Sequence, residues 1–139
     1  MSQTNTRQGD IVLPANEDLT DMEGRLVMIA DDSDVAEFAL PNAITDLALF
    51  VLTDAGDEDE DVSARPLSPD RSVRLLLNGT CAPGDVLVLA VPNGTDDGKV
   101  RKLPTAAGTY RGIAIAEEVG EDEQLVLARP AMIGNITVT

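Results

Sequence analysis

"GDEDEDVSARP" occupies residues 56–66 and "GEDEQLVLARP" residues 120–130, a constant spacing of 64. The two align without a gap: Gly56 with Gly120, Val62 with Val126, and Ala64-Arg65-Pro66 with Ala128-Arg129-Pro130, with acidic residues between. Upstream, "GRLVMIA" (24–30) matches "GDVLVLA" (84–90) at a spacing of 60, and Leu40-Pro41 matches Leu103-Pro104 at 63. Three anchors in one order indicate an internal duplication of a unit of roughly 45 residues, and such a repeat sets the architecture before any element is read singly. The spacing changes only between anchors, where surface loops absorb insertions. Chains rich in β structure reuse turn chemistry, so short matches arise by chance; the shared Ala-Arg-Pro argues against that origin.

Working outward, most apolar segments are short and bounded by turn residues. "RLVMIA" (25–30) and "DLALFVLTDA" (46–55) read as buried strands. "SVRLLL" (72–77) ends at Asn78-Gly79, a strong turn dipeptide, and "DVLVLAV" with "KVRKL" flanks "PNGTDDG" as a hairpin. "TYRGIAIAEE" (109–118) alternates, "QLVLARP" (124–130) follows an acidic turn, and "NITVT" (135–139) is expected to add an edge strand. "DDSDVAEFALP" (31–41) can hold one helical turn capped by Ser33 or Asp34 and stopped by Pro41. The expected fold is all-β: a compact barrel or sandwich of two duplicated β-units, with at most one short helix. The polar N-terminus, without periodicity, reads as an extended arm over 1–23, followed by β-units at 24–70 and 71–139 packed as one domain.

The composition narrows the chemistry. In 139 residues there is no Trp, one Tyr and two Phe, so Val, Leu, Ile and Ala must build the core. The net charge of −15 disfavours nucleic-acid phosphates. That charge is lopsided: residues 1–70 carry 17 acids and 3 bases, residues 71–139 carry 8 acids and 7 bases. An acidic outward half and a balanced half free to dock would follow. One cysteine, Cys81, excludes an intrachain disulfide framework and a multi-cysteine metal site. No apolar run suggests a signal peptide or membrane helix, so cytosolic synthesis is the default expectation and no membrane partner is expected.

The chain has no histidine, and it lacks a phosphate-binding loop, a dinucleotide fingerprint and a nucleophile elbow. An enzyme is therefore not expected, nor a cofactor, nor catalytic or metal-ligating residues. Asp57-Glu58-Asp59-Glu60-Asp61 could attract calcium, but five adjacent acids lack the central glycine and the spaced bidentate Glu of a calcium loop. Read as a repeated turn, the run needs no metal; Glu60 and Asp61 then stand where copy two has Gln124 and Leu125, a contrast that predicts a solvent-facing strand in copy one and a packed strand in copy two. Arg65 and Arg129 have two readings: closure of a turn through carbonyls or a neighbouring acid, or bidentate pairing with a partner's carboxylates.

The second half resembles the small all-β capsid decoration, or cement, proteins of tailed bacteriophages. The resemblance lies in Gly84-Asp85 opening a strand, the hairpin after it, Gly112-Ile113-Ala114, and Gly120 leading into Leu125-Val126-Leu127. It covers about 50 residues well and the first half only through the duplication, where Ala48-Leu49-Phe50 replaces the glycine-led strand. What it implies is a virion protein on the outer capsid surface that binds the major capsid protein and stabilises the head, with a homotrimer at local three-fold sites as one arrangement. Candidate capsid contacts are Arg7, Ile11, Val12, Leu13, Arg65 and Arg129, the arm gaining order by adding a strand to a capsid subunit. Alternatives are an acidic binding module, as a DNA mimic or calcium-dependent adaptor, and a minor tail or baseplate β-domain.

Overall fold

The computed structural model describes residues 9–139, which form ten β-strands and no helix. The first sheet contains β1 (Ile11–Pro14), β2 (Leu26–Asp32), β3 (Val35–Ala39), β4 (Phe50–Asp54) and β5 (Asp61–Pro66), in the order β1-β5-β4-β2-β3. The second contains β6 (Val73–Leu76), β7 (Val86–Leu89), β8 (Val100–Lys102), β9 (Gly108–Ala116) and β10 (Leu125–Val138), in the order β6-β10-β9-β7-β8. The second order is the first advanced by five strands. Register repeats too: Leu13 faces Val62 as Leu75 faces Val126, and Leu26 faces Val51 as Val86 faces Ile115.

Each sheet curls until its ends touch. Ala15 forms a parallel bridge with Phe38, and Leu77 forms the same bridge with Val100. Asn16 N–H donates to Phe38 O, and Asn78 N–H to Val100 O, both at 2.8 Å. Such closure removes part of the exposed edge that an open five-stranded sheet would present.

The repeated turns coincide in detail. Gly24 and Gly84 have left-handed φ values of 88° and 87°. Asp57 N–H donates to Glu60 Oε1 and Glu121 N–H to Gln124 Oε1, while Asp59 and Glu123 share φ 66°. A Cβ on Gly56 would lie 3.1 Å from Val62 Cγ1, and one on Gly120 would lie 3.1 Å from Val126 Cγ2. Close packing therefore favours glycine at both places, most strongly at Gly120, where a Cβ would also lie 2.7 Å from Leu77 Cδ2.

Two clusters form the interior. Leu13, Ala15, Leu19, Val27, Phe38, Leu52, Val62 and Ala64 fill the first unit. Leu75, Leu77, Leu87, Val100, Ala114 and Val126 fill the second, joined there by Leu26, Ala48 and Val51 of the first. At the closing bridge, Ala15 with Phe38 in one copy answers Leu77 with Val100 in the other, a large and a small side chain exchanged for two of middle size. Such volume exchange keeps packing density while the sequences diverge.

Backbone hydrogen bonds tie the units together: Leu26 N–H donates to Gly98 O at 2.7 Å, and Leu76 N–H to Gly24 O at 3.0 Å. Arg25 Nη1 donates to the carbonyls of Thr95 and Asp97, both at 2.9 Å, and Arg111 Nη2 donates to Thr45 O at 3.0 Å. Gly98 has φ +80°, and a Cβ there would sit 2.5 Å from Leu26 O.

Several expectations require correction. The expected helical turn at 31–41 is the β2–β3 hairpin, closed by Ser33 and Asp34 with φ 52° and 69° between Asp32 and Val35. Two successive left-handed residues match the twist of paired strands, and short polar side chains tolerate that conformation. The expected arm begins differently as well. Residues 1–8 lie outside the described residues, while β1 pairs with β5 and Leu13, Ala15 and Leu19 are buried. A four-residue strand is too short to show periodicity, so the polar surroundings masked it.

The anchor Leu40-Pro41 is one residue out of step, because Phe38 and Val100, 62 apart, occupy the equivalent bridge positions. "NITVT" is no separate edge strand but the far part of β10, paired with β9 beyond an irregularity between Pro130 and Gly134. Finally, Leu125 is 41% exposed, and Asp61–Ala64 and Leu125–Ala128 share one burial pattern. The acid-to-apolar contrast thus marks no difference in burial; Leu125 instead lies against Gly24, whose added Cβ would meet Leu125 Cδ2 at 2.3 Å.

Candidate functional site

The two arginines of the repeated Ala-Arg-Pro lie in corresponding polar trios. Arg65 Nε donates to Asp10 Oδ1 at 2.9 Å, and Thr53 Oγ1 donates to Asp10 Oδ2 at 2.9 Å. In the second unit, Arg129 Nη2 pairs with Glu117 at 3.3 Å, and Ser72 Oγ donates to the same carboxylate. By strand register Thr53 corresponds to Glu117, and Asp10 corresponds to Ser72, so carboxylate and hydroxyl have exchanged strands while the arginine stayed.

These contacts shift the acids. The Arg65 guanidinium, helped by the Thr53 hydroxyl, holds the Asp10 carboxyl below its ordinary value. The Ser72 hydroxyl, then Arg129, does the same for Glu117, and the Leu127 N–H, then Arg74, for Glu118. A depressed folded-state pKa gives stability that is present above the unfolded value and lost as pH falls through the folded one. Asp10→Asn is therefore expected to flatten the loss of stability on acidification below about pH 4, measured by urea unfolding at successive pH values. An unchanged acid slope would show that the Asp10–Arg65 pair contributes nothing to folding.

Between the trios runs a groove of about 330 Å³ at the seam of the two units. Val51, Leu52, Val73, Leu125 and Leu127 supply its apolar lining, and Thr53, Arg65, Ser72 and Arg74 its polar lining. Sequence reasoning missed Ser72, Arg74 and Thr53, because only the packing of the two units brings them beside Arg65 in one groove.

The other candidates are dispersed. Arg7 lies outside the described residues. Val12 is 58% exposed on β1, Ile11 packs partly against the first core, and Leu13 is buried there, so Leu13 has little surface to offer a partner. In the acidic run, Glu58 N–H donates to Asp57 Oδ1 at 2.7 Å and the Glu60 carboxylate caps Asp57 N–H, so part of the run closes its own turn. Among the described residues, no group of three or more His, Cys, Asp or Glu side chains is placed to hold a metal ion.

Two buried charged side chains occupy corresponding positions with opposite sign. Glu37 accepts from Asn16 Nδ2 at 2.9 Å. Lys99 Nζ pairs with Asp96 at 2.9 Å and with Glu123. Burial pulls the Lys99 ammonium down, but the two carboxylates outweigh it and the net shift is upward. Cys81, which takes the place of Leu19 against the turn glycine, is a buried thiol pushed up by desolvation.

Duplicated small barrels, sharing a core and joined along a lined seam, define an all-β module. No protein-family model matches the chain, and no curated protein matches it. Among solved structures, the chain is similar to the head fiber gp8.5 N base of bacteriophage phi29, with a TM-score of 0.62 and 20% identity. The alignment covers 89% of this chain and 94% of that one, so the likeness extends over both units.

Proposed function

We propose that the protein is a non-enzymatic structural component of a phage virion, carried on the outer surface of the head and bound to the major capsid protein. The observation that carries this reading is the fold shared with a phage head fiber base across nearly the whole chain. The charge distribution supports it independently: an acidic first unit suits an outward, solvated position, and a balanced second unit suits docking on a shell. Arg129 in the second unit and Arg65 at the seam between the units are the surface candidates that suit this orientation. Bound in this way, the protein would stabilise the head by bridging neighbouring capsid subunits.

Mixing the purified protein with isolated heads lacking it is expected to give saturable co-sedimentation, with added density on the outer capsid in a reconstruction. Bound heads should also withstand heating better, because a ligand specific for the assembled state stabilises that state. Failure to sediment at saturating concentration, or density confined to the tail, would overturn the assignment.

A further inference from the structure

The seam groove combines three properties that point to one occupant. First, its polar lining is cationic or hydroxylic, although the chain carries a net charge of −15. The carboxylates that pair with its arginines, Asp10 and Glu118, lie outside the lining. Second, those arginines retain donors. Among the described residues Arg65 bonds only through Nε, and Arg74 only through Nη1, to Glu118 and to Leu125 O. A guanidinium has five donors in a planar fork, so each can still receive a carboxylate.

Third, the groove borders a strand edge. β6 is the terminal strand of the second sheet and, among the described residues, pairs only with β10. Leu76 N–H points away from β10 and is taken by Gly24 O, so Gly24, which lines the groove, marks where the free edge stops. Backbone groups two residues apart on a strand point the same way, so those of Arg74 face outward along the same edge.

We propose that this groove docks an extended segment of a partner protein, added at Arg74 on the edge of β6, with acidic side chains received by Arg65 and Arg74 and aliphatic ones set against Leu125 and Leu127. Main-chain pairing supplies affinity in such strand addition, and the side-chain pockets supply selectivity. The inference names the kind of segment the proposed head-surface partner would offer, and so rests on that reading.

The test uses no capsids, so the two can fail separately. An acetylated heptapeptide alternating Val and Glu, and its Val/Gln counterpart, are titrated into the full-length isotope-labelled protein while backbone amide shifts are followed. The Glu peptide is expected to move the amides of Gly24, Ser72, Arg74 and Leu127, and to bind at least tenfold more tightly than the Gln peptide despite repulsion from the acidic chain. Arg74→Gln should remove that preference, and Arg65→Gln should reduce it, each with the remaining spectrum preserved. No shift at millimolar peptide, shifts confined to other surfaces, or equal binding of the two peptides would overturn the proposal. Self-association lost in Arg74→Gln would overturn it also, by making a second copy the occupant.

Discussion

Phe38→Ala is expected to remove about 3–5 kcal/mol from the unfolding free energy, the range for truncating a fully buried aromatic ring. The ring is wholly inaccessible, packs against Phe50 with centroids 5.6 Å apart, and belongs to the first core. Its backbone also closes the first barrel through Ala15 and Asn16. The small Ala15 side chain opposite cannot expand into the vacated volume, so a cavity persists. Domains commonly have about 5–15 kcal/mol in total, so this single truncation takes a large share. With a urea dependence of about 2 kcal/mol per molar, the midpoint should fall by about 1.5–2.5 M. The corresponding Val100→Ala should cost less, since fewer atoms leave and the larger Leu77 is its neighbour. Equal losses at the two positions would show that the bridge, rather than ring burial, sets the energy.

Lys99→Glu should be comparably damaging, at about 3–5 kcal/mol, the range for a buried charge left without its counter-ion. The position itself accepts a carboxylate in the other copy, where Glu37 meets the Asn16 amide. In the second copy the surroundings are Asp96 and Glu123, so the same carboxylate would join two others. Lys99→Met, which keeps length and discards charge, should lose less, because Asp96 and Glu123 keep access to water. Adding Glu123→Lys to Lys99→Glu should recover part of the loss. The raised pKa of Lys99 means its contribution is complete below the ordinary lysine value and is lost as pH rises through the higher folded value. Lys99→Met should therefore flatten the alkaline decline in stability, measured by urea unfolding as pH is raised from about 9 to about 12.

How far these positions could be read beforehand depended on whether the signal was local. Gly56 and Gly120, Gly24 and Gly84, and the Ala-Arg-Pro pair were legible because close approach, left-handed backbone and turn closure leave marks in adjacent residues. β1 was not legible: four residues give no period, and its burial depends on β5, about fifty positions away. Ser33-Asp34 carried a cap signal that suits a helix start and a tight hairpin equally, and pairing with β2 decided between them.

The seam shows the same division. Nothing near Arg74 in the sequence names Arg65, Thr53 or Gly24 as neighbours, and Leu125 reads as a core residue until Gly24 is seen beneath it. The repeat at a spacing of 64 determined that there would be two similar all-β units, because turn chemistry and alternation are properties of contiguous residues. How each unit closes, which charges are buried with which partners, and that the units share a core and a lined groove were decided only by tertiary structure. Those features rest on contacts between residues distant in the chain, and the free energy of such contacts has no local imprint.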